Sequence, residues 1–91
     1  MAVSGMNHFN VLTQDVEKTR RFYRDVIGLA EGDRPDLGFD GAWFYAGGRA
    51  ILHVSKVQRL PPAGVIDHMA FSASDLKGTV ARLQQHGVEH V

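Results

Sequence analysis

The sequence predicts an α+β fold: one βαβββ module, followed by the first strand and helix of a second, incomplete copy of that module. The prediction depends on an internal repeat and on a hairpin signal between the two copies. The repeat pairs residues that lie 60 positions apart and share a structural role: His8 and His68, Asp15 and Asp75, and Thr19 and Thr79. A constant offset with matching roles is typical of a duplicated supersecondary unit.

Each copy begins with the alternation of a strand that has one buried face. Phe9 and Val11 point to the same side in the first copy, and Met69 and Phe71 do so in the second. We expect this apolar side to pack against a helix, which leaves the other side of the strand uncovered.

A helix follows each strand. Asp15 and Asp75 are suited to begin the two helices, because a short carboxylate accepts hydrogen bonds from backbone N–H groups that have no partner in the first turn. Gly28 and Gly87 are placed to end the helices, and these two glycines align only after a slip of one residue.

The segment between the copies predicts three more strands. Residues 42–46 and 50–54 alternate as strands and meet at Gly47-Gly48, which is a strong signal for a tight hairpin. A shorter strand is expected at residues 29–31. The proline-rich stretch 60–64 separates the copies.

Length and composition limit the class of protein. We expect a single domain over residues 1–91, with the first module at 6–57 and the start of the second at 65–91. Ten basic residues balance ten acidic ones, which argues against a nucleic acid or a membrane surface as partner. The sequence has no run of about 18 apolar residues, and the absence of cysteine makes a reducing cytoplasm the expected location. Because cysteine is absent, a metal site must use His, Asp or Glu.

Three histidines are candidate metal ligands. His8 and His68 occupy equivalent strand positions on the face opposite the apolar residues, so a pseudo-twofold pairing of the modules would bring their rings together. His53, on the last strand of the first module, can reach the same face. The alternative is a structural role, which is the commoner one for a single histidine on a strand and is also our interpretation of His86.

Four further residues are candidate contacts for a small substrate. Asn10 and Ser72 lie on the same face as the repeat histidines, and Trp43 and Tyr45 share one side of their strand. Aromatic rings beside a few polar groups are typical of small-molecule pockets. The alternative is that Trp43 and Tyr45 belong to the core, like Phe44 on the other side of the strand.

The chain resembles the vicinal-oxygen-chelate superfamily, the group of glyoxalases, bleomycin resistance proteins and extradiol dioxygenases. The resemblance is carried by residues 8–13 (HFNVLT), 15–19 (DVEKT), 21–23 (RFY) and 26–29 (VIGL), and by the second opening at 66–71 (IDHMAF). It implies paired βαβββ modules that form a cupped sheet around a metal ion, often in dimers.

The resemblance also implies a ligand set. His8 and His68 match the ligands of the first strands, and His53 matches the last strand of the first module, where glyoxalase-like members often have Glu. The carboxylate of the second module's last strand would lie beyond Val91. The expected cofactor is a divalent metal ion (Fe, Mn, Zn or Ni), and His53 favours dioxygenase-like over glyoxalase-like chemistry. No general base is identified.

Three interpretations of function stay open. The first is a metal-dependent enzyme, impaired by truncation or not, whose ion chelates vicinal oxygens of a small substrate. The second is a metal-free module that binds an antibiotic-type ligand by stacking on Trp43 or Tyr45. The third is an inactive truncation. Missing strands would expose a sheet edge, so a homodimer is expected, in a simple or a strand-exchanged form.

Overall fold

A computed structural model of the chain describes residues 2–62, 64, 69–70, 72 and 75–88. The chain forms two compact units, Met1–Leu60 and Pro61–Val91. The described residues contain a four-stranded mixed sheet and helices, which confirms the predicted α+β class. None of the described helices has the length and apolar character needed to cross a membrane.

The first unit contains the complete βαβββ order. Its elements are β1 (Phe9–Thr13), α1 (Val16–Arg21), a π-helical segment (Phe22–Ile27), β2 (Ala30–Gly32), β3 (Gly41–Ala46) and β4 (Arg49–Lys56). The strands lie in the order β1-β4-β3-β2, with β1 parallel to β4 and the other neighbours antiparallel.

One face of the sheet forms the core. Phe44 and Leu52 are fully buried, and Val54 and Ala42 are nearly so. Val16 at the start of α1 and Val26 in the π-helical segment are also buried. Burying a side chain of this size stabilises the fold by about 1.5–3 kcal/mol. Because strand residues alternate between faces, the neighbours of these core residues lie on the opposite side.

The hairpin between β3 and β4 has the predicted turn and one irregularity. Gly47 and Gly48 both have positive φ, 60° and 77°, as a type I′ turn requires. The register then changes between Phe44 and Tyr45: Phe44 pairs with Leu52, whereas Tyr45 pairs with Ala50. The extra residue between Ala50 and Leu52 is a β-bulge, which changes the direction of the side chains beside it.

The first helix differs from the regular helix that its spacing predicts. α1 continues into the π-helical segment, whose last turn closes with the Gly28 N–H donating to the Tyr23 carbonyl, five residues back, at 3.1 Å. Gly28 has φ 90° and ends the helix as predicted. The wider turn of a π-helix accommodates an extra residue.

In the second unit, α2 spans Leu76–Gln85 and begins at Asp75, whose carboxylate accepts from the Gly78 N–H at 2.9 Å. The start of α1 matches it, because Asp15 accepts from the Lys18 N–H at 3.0 Å. This agreement supports the internal repeat.

The end of α2 shows where the two copies differ in length. The His86 N–H donates to the Arg82 carbonyl, only four residues back. Gly87 follows Asp75 by 12 positions and Gly28 follows Asp15 by 13. The π-helical segment therefore accounts for the one-residue slip in the repeat.

The strand predicted to precede α2 falls mainly on residues 65–68 and 71, outside the described residues, as does His68. The predicted module bounds, 6–57 and 65–91 within one domain, remain predictions.

Candidate functional site

The face of the sheet opposite the core carries a row of polar and aromatic side chains. Asn10 of β1 pairs in register with His53 of β4, and His53 pairs with Trp43 of β3. Neighbours in register share a face, so the three side chains cross the sheet side by side. We call this surface the open face.

Three rings form a stack on the open face. The His53 ring lies 3.9 Å from the Trp43 ring system at an interplanar angle of 5°, and 3.9 Å from the His8 ring at 18°. His53 is therefore held between a histidine and a tryptophan. The structure brings together two of the three histidines that the sequence analysis identified.

His8 is oriented by its neighbour. The Oδ1 atom of Asn7 lies 2.7 Å from Nδ1 of His8. An amide oxygen only accepts hydrogen bonds, so Nδ1 carries the proton and donates. In the neutral ring this leaves Nε2 with a free lone pair, and the His8 side chain is exposed.

The surroundings of His53 lower the pKa of its imidazole. Burial lowers the pKa of His53 below its ordinary value of 6.5, and the nearby His8 and the positive charge of Arg34 lower it further. A hydrogen bond to the backbone of Ala50, beside the bulge, acts in the opposite direction. The net effect favours a neutral imidazole, the form that is able to stack closely and to ligate a metal.

A divalent metal ion needs donor atoms whose lone pairs converge on it. His8 fits, because a metal-ligating histidine usually donates its other ring N–H to an oxygen acceptor, as His8 does to Asn7. The stacked pair does not fit as a joint site: lone pairs lie in the ring planes, so nearly parallel rings do not point at one ion about 2.1 Å away. Within the described part of the chain, no group of three His, Cys, Asp or Glu residues is suitably placed.

The predicted substrate contacts have different surroundings. Oδ1 of Asn10 accepts from the Ser55 hydroxyl at 2.9 Å, which leaves the two N–H donors of the Asn10 amide for another partner. Ser72, in the second unit, is exposed. Trp43 is half-buried and uses one ring face to stack on His53.

Tyr45 is engaged within the protein. Its hydroxyl donates to the Asp33 carbonyl at 2.6 Å. Its ring covers Gly32, where an added Cβ would lie 2.8 Å from the ring. Tyr45 therefore anchors the end of β2, and its side chain is half-buried and outside the buried core.

Sequence reasoning missed Arg34, which lies at the edge of the open face. Its Nη2 donates to the Phe39 carbonyl at 3.0 Å, and its guanidinium lies 5.1 Å from the centre of the Phe39 ring. Gly41, opposite Ser55 in register, lies against it: an added Cβ would lie 2.9 Å from Nη2, although the Val54 carbonyl oxygen would be the nearest atom. A loop arginine has no periodic signal, so the sequence offered no means of finding it.

Comparisons with known proteins agree on one family. The family model described as the Glyoxalase/Bleomycin resistance protein/Dioxygenase superfamily matches residues 5–91. The curated protein "Glyoxylase I 4" of Arabidopsis thaliana is 28% identical in an alignment 96 residues long that includes 98% of this chain. The chain spans only 55% of the length of that relative.

Solved structures share the fold. A putative glyoxalase family protein from Bacillus anthracis is 27% identical, with a TM-score of 0.80 over 98% of this chain and 75% of that one. The fosfomycin resistance protein FosX from Listeria monocytogenes is 21% identical, with a TM-score of 0.71 over 97% and 70% of the two chains. A FosX variant, solved with Mn(II) and 1S,2S-dihydroxypropylphosphonic acid, has a TM-score of 0.68, 21% identity, and coverage of 97% and 73%.

Proposed function

Since the chain belongs to the Glyoxalase/Bleomycin resistance protein/Dioxygenase superfamily, we propose that it binds a divalent metal ion and a small substrate whose vicinal oxygens the ion chelates. His8 and His68 are the proposed ligands from this chain. The binding of Mn(II) and a phosphonate diol by a protein of the same fold supports this general kind of activity.

The observation that carries the proposal is the hydrogen bond between Asn7 and His8. With the Asn7 amide oxygen as acceptor, Nδ1 of His8 carries the proton, which leaves Nε2 of this exposed residue free in the neutral ring. Outer-shell partners of this kind orient metal-ligating histidines, and losing one typically costs 10–100-fold in metal affinity.

Each site residue has a proposed task. A bound ion would polarise the chelated oxygens and stabilise negative charge on them. The free amide N–H groups of Asn10 would orient the substrate, and Trp43 and Tyr45 would border it on the apolar side, with Ser72 as a further polar contact. Both dioxygenase-like and glyoxalase-like reactions are compatible with this arrangement.

For His53 the stacked placement favours support of His8 over direct ligation. The ligand role predicted from the sequence is the alternative, and it requires the ring to leave the stack. His53→Phe separates the two, because phenylalanine keeps a flat ring for stacking but has no lone pair. If His53 supports His8, His53→Phe retains metal affinity and His53→Ala loses about tenfold. If His53 is a ligand, both variants lose metal affinity.

Metal binding is tested by titrating the metal-free chain with Mn²⁺, Zn²⁺, Ni²⁺ and Fe²⁺ under isothermal calorimetry and native mass spectrometry. We expect one ion per chain or per dimer, lost in His8→Ala and in His68→Ala. His86→Ala is the matched control, since it removes an exposed imidazole at the end of α2. Equal binding by the parent and both ligand variants would refute the metal site.

A second candidate function is a metal-free module that binds an antibiotic-type ligand. The observation favouring it is the flat stack of Trp43 on His53, which places an aromatic surface on the open face without any metal. Ligand-induced quenching of the single tryptophan, unchanged by chelator and by His8→Ala, would favour this function over the first.

We also propose that the chain assembles as a homodimer, simple or strand-exchanged. In the described sheet β1 and β2 are the edge strands, and exposed edges favour pairing with another chain. Sedimentation velocity over a range of protein concentrations tests this, and a monomer at every concentration would refute it.

A further inference from the structure

Arg34 is a cation without an acidic partner among the described residues. The described ion pairs involve only Arg20 and Arg24 as cations. The aspartates that follow Arg34 in the loop are engaged elsewhere, since Asp36 accepts from the Gly38 N–H and Asp40 from the Gly41 N–H. Arg34 therefore forms no ion pair with the residues that the structure describes.

The guanidinium is held in place by packing. It lies over the Phe39 ring and against the backbone of Gly41, and within the described part of the chain only its Nη2 donates to a protein acceptor, the Phe39 carbonyl. Nε is shielded from solvent and has no partner in the described structure. A guanidinium has five N–H donors, so most of its hydrogen-bonding capacity is unused.

The guanidinium lies at the border of the open face. Gly41, which Arg34 covers, pairs in register with Ser55, and Ser55 bonds to Asn10 on the same face. Arg34 thus borders the face that carries Asn10 and Ser55, where the proposed substrate site lies.

We propose that Arg34 binds an anionic oxygen group of the ligand, a carboxylate or a phosphonate, at the edge of the open face. The planar fork of a guanidinium matches two oxygens of such a group, and charge-assisted bonds of this kind are about twice as strong as neutral ones. The inference rests on the proposed function in one respect, which is that the open face binds a small substrate. It defines that substrate as an anion.

The test uses metal-free, chelator-treated protein, so that a probe anion does not bind by coordinating a metal ion. Inorganic phosphate and acetate serve as anionic probes, and propane-1,2-diol serves as an uncharged probe with vicinal oxygens. Nitrogen-15 NMR follows the Nε–H signals of the arginines, with that of Arg34 assigned by its loss in Arg34→Lys. We expect phosphate or acetate, but not the diol, to shift the Arg34 signal in a saturable manner.

The matched variants are Arg34→Gln and Arg21→Gln. Both remove one positive charge, but Arg21 is an exposed residue of α1, which packs on the opposite face. We expect Arg34→Gln to weaken anion binding about 10- to 100-fold, as the loss of hydrogen bonds to a charged group predicts, and Arg21→Gln to leave it unchanged. An unshifted Arg34 signal in the parent protein, or equal weakening in both variants, would overturn the inference. Because no metal is present, that failure is distinct from failure of the metal site.

Discussion

The open face depends on a sheet whose other face is held by a buried core. Leu52→Ala, which truncates a side chain in that core, is therefore the most informative test of the free energy of unfolding. Leu52 is fully buried on the core side of β4, next in sequence to His53 on the other side. Truncating a buried leucine to alanine costs about 2–5 kcal/mol, because transfer free energy is lost and a cavity remains. A loss of about 3 kcal/mol lowers Tm by roughly 12–24 °C in a domain of this size.

Leu12→Ala is the control for that measurement. Leu12 lies on the neighbouring strand β1 but on the open face, and 40% of it is exposed. We expect it to cost less than about 1 kcal/mol. Urea unfolding followed by the fluorescence of Trp43, the single tryptophan, reports on the sheet that contains both residues. If the two variants lose equal stability, or if Leu52→Ala loses less than about 1 kcal/mol, the assignment of core and open face is wrong.

Three further predictions concern the helices and the strand anchors. Asp15→Ala removes the cap of α1 and is expected to lower the free energy of unfolding by about 1 kcal/mol in urea titrations. The equivalent Asp75→Ala should mainly reduce helical circular dichroism, because no residue of α2 is buried. Equal effects of the two variants on the unfolding of the sheet would contradict this difference. Burial raises the pKa of Tyr23 above its ordinary value of 10. The stability that the protonated Tyr23 contributes is therefore complete below about pH 10 and is lost as the pH rises through the higher pKa of the folded state. Tyr23→Phe should flatten this loss of stability at alkaline pH in unfolding curves, and an unchanged pH profile would exclude Tyr23 as the source of the loss. Tyr45→Phe removes the bond to the Asp33 carbonyl and should cost about 1 kcal/mol, measured by thermal unfolding, whereas a loss above about 3 kcal/mol would indicate that the hydroxyl does more.

The fold was largely predictable because its signals are local. An aspartate before a helix and a glycine after it act through their own backbone neighbours, and Asp15, Asp75 and Gly28 have the expected roles. The pair Gly47-Gly48 defines its turn through two positive φ angles. Alternation along β3 and β4 likewise identifies which side chains share a face.

The details of the site depend on contacts that alternation does not specify. The alternation along β4 places His53 on the open face, but the stack of His53 on His8 and Trp43 depends on ring orientations and on the neighbouring bulge. The place of Arg34 depends on a close approach to Gly41 from a loop, seven residues earlier in the chain. Such contacts are made by tertiary packing, and a single sequence contains no periodic trace of them.

The wide turn in the first helix has a consequence for how the two copies diverge. A helix that holds an additional residue between unchanged ends permits an insertion or a deletion there without shifting the strands on either side. Val26, in the segment with the wide turn, is buried in the core, whereas no residue of α2 is buried. A duplicated module can thus change which residues face its sheet by altering its length at one point, while the ends that connect it to the sheet stay where they were.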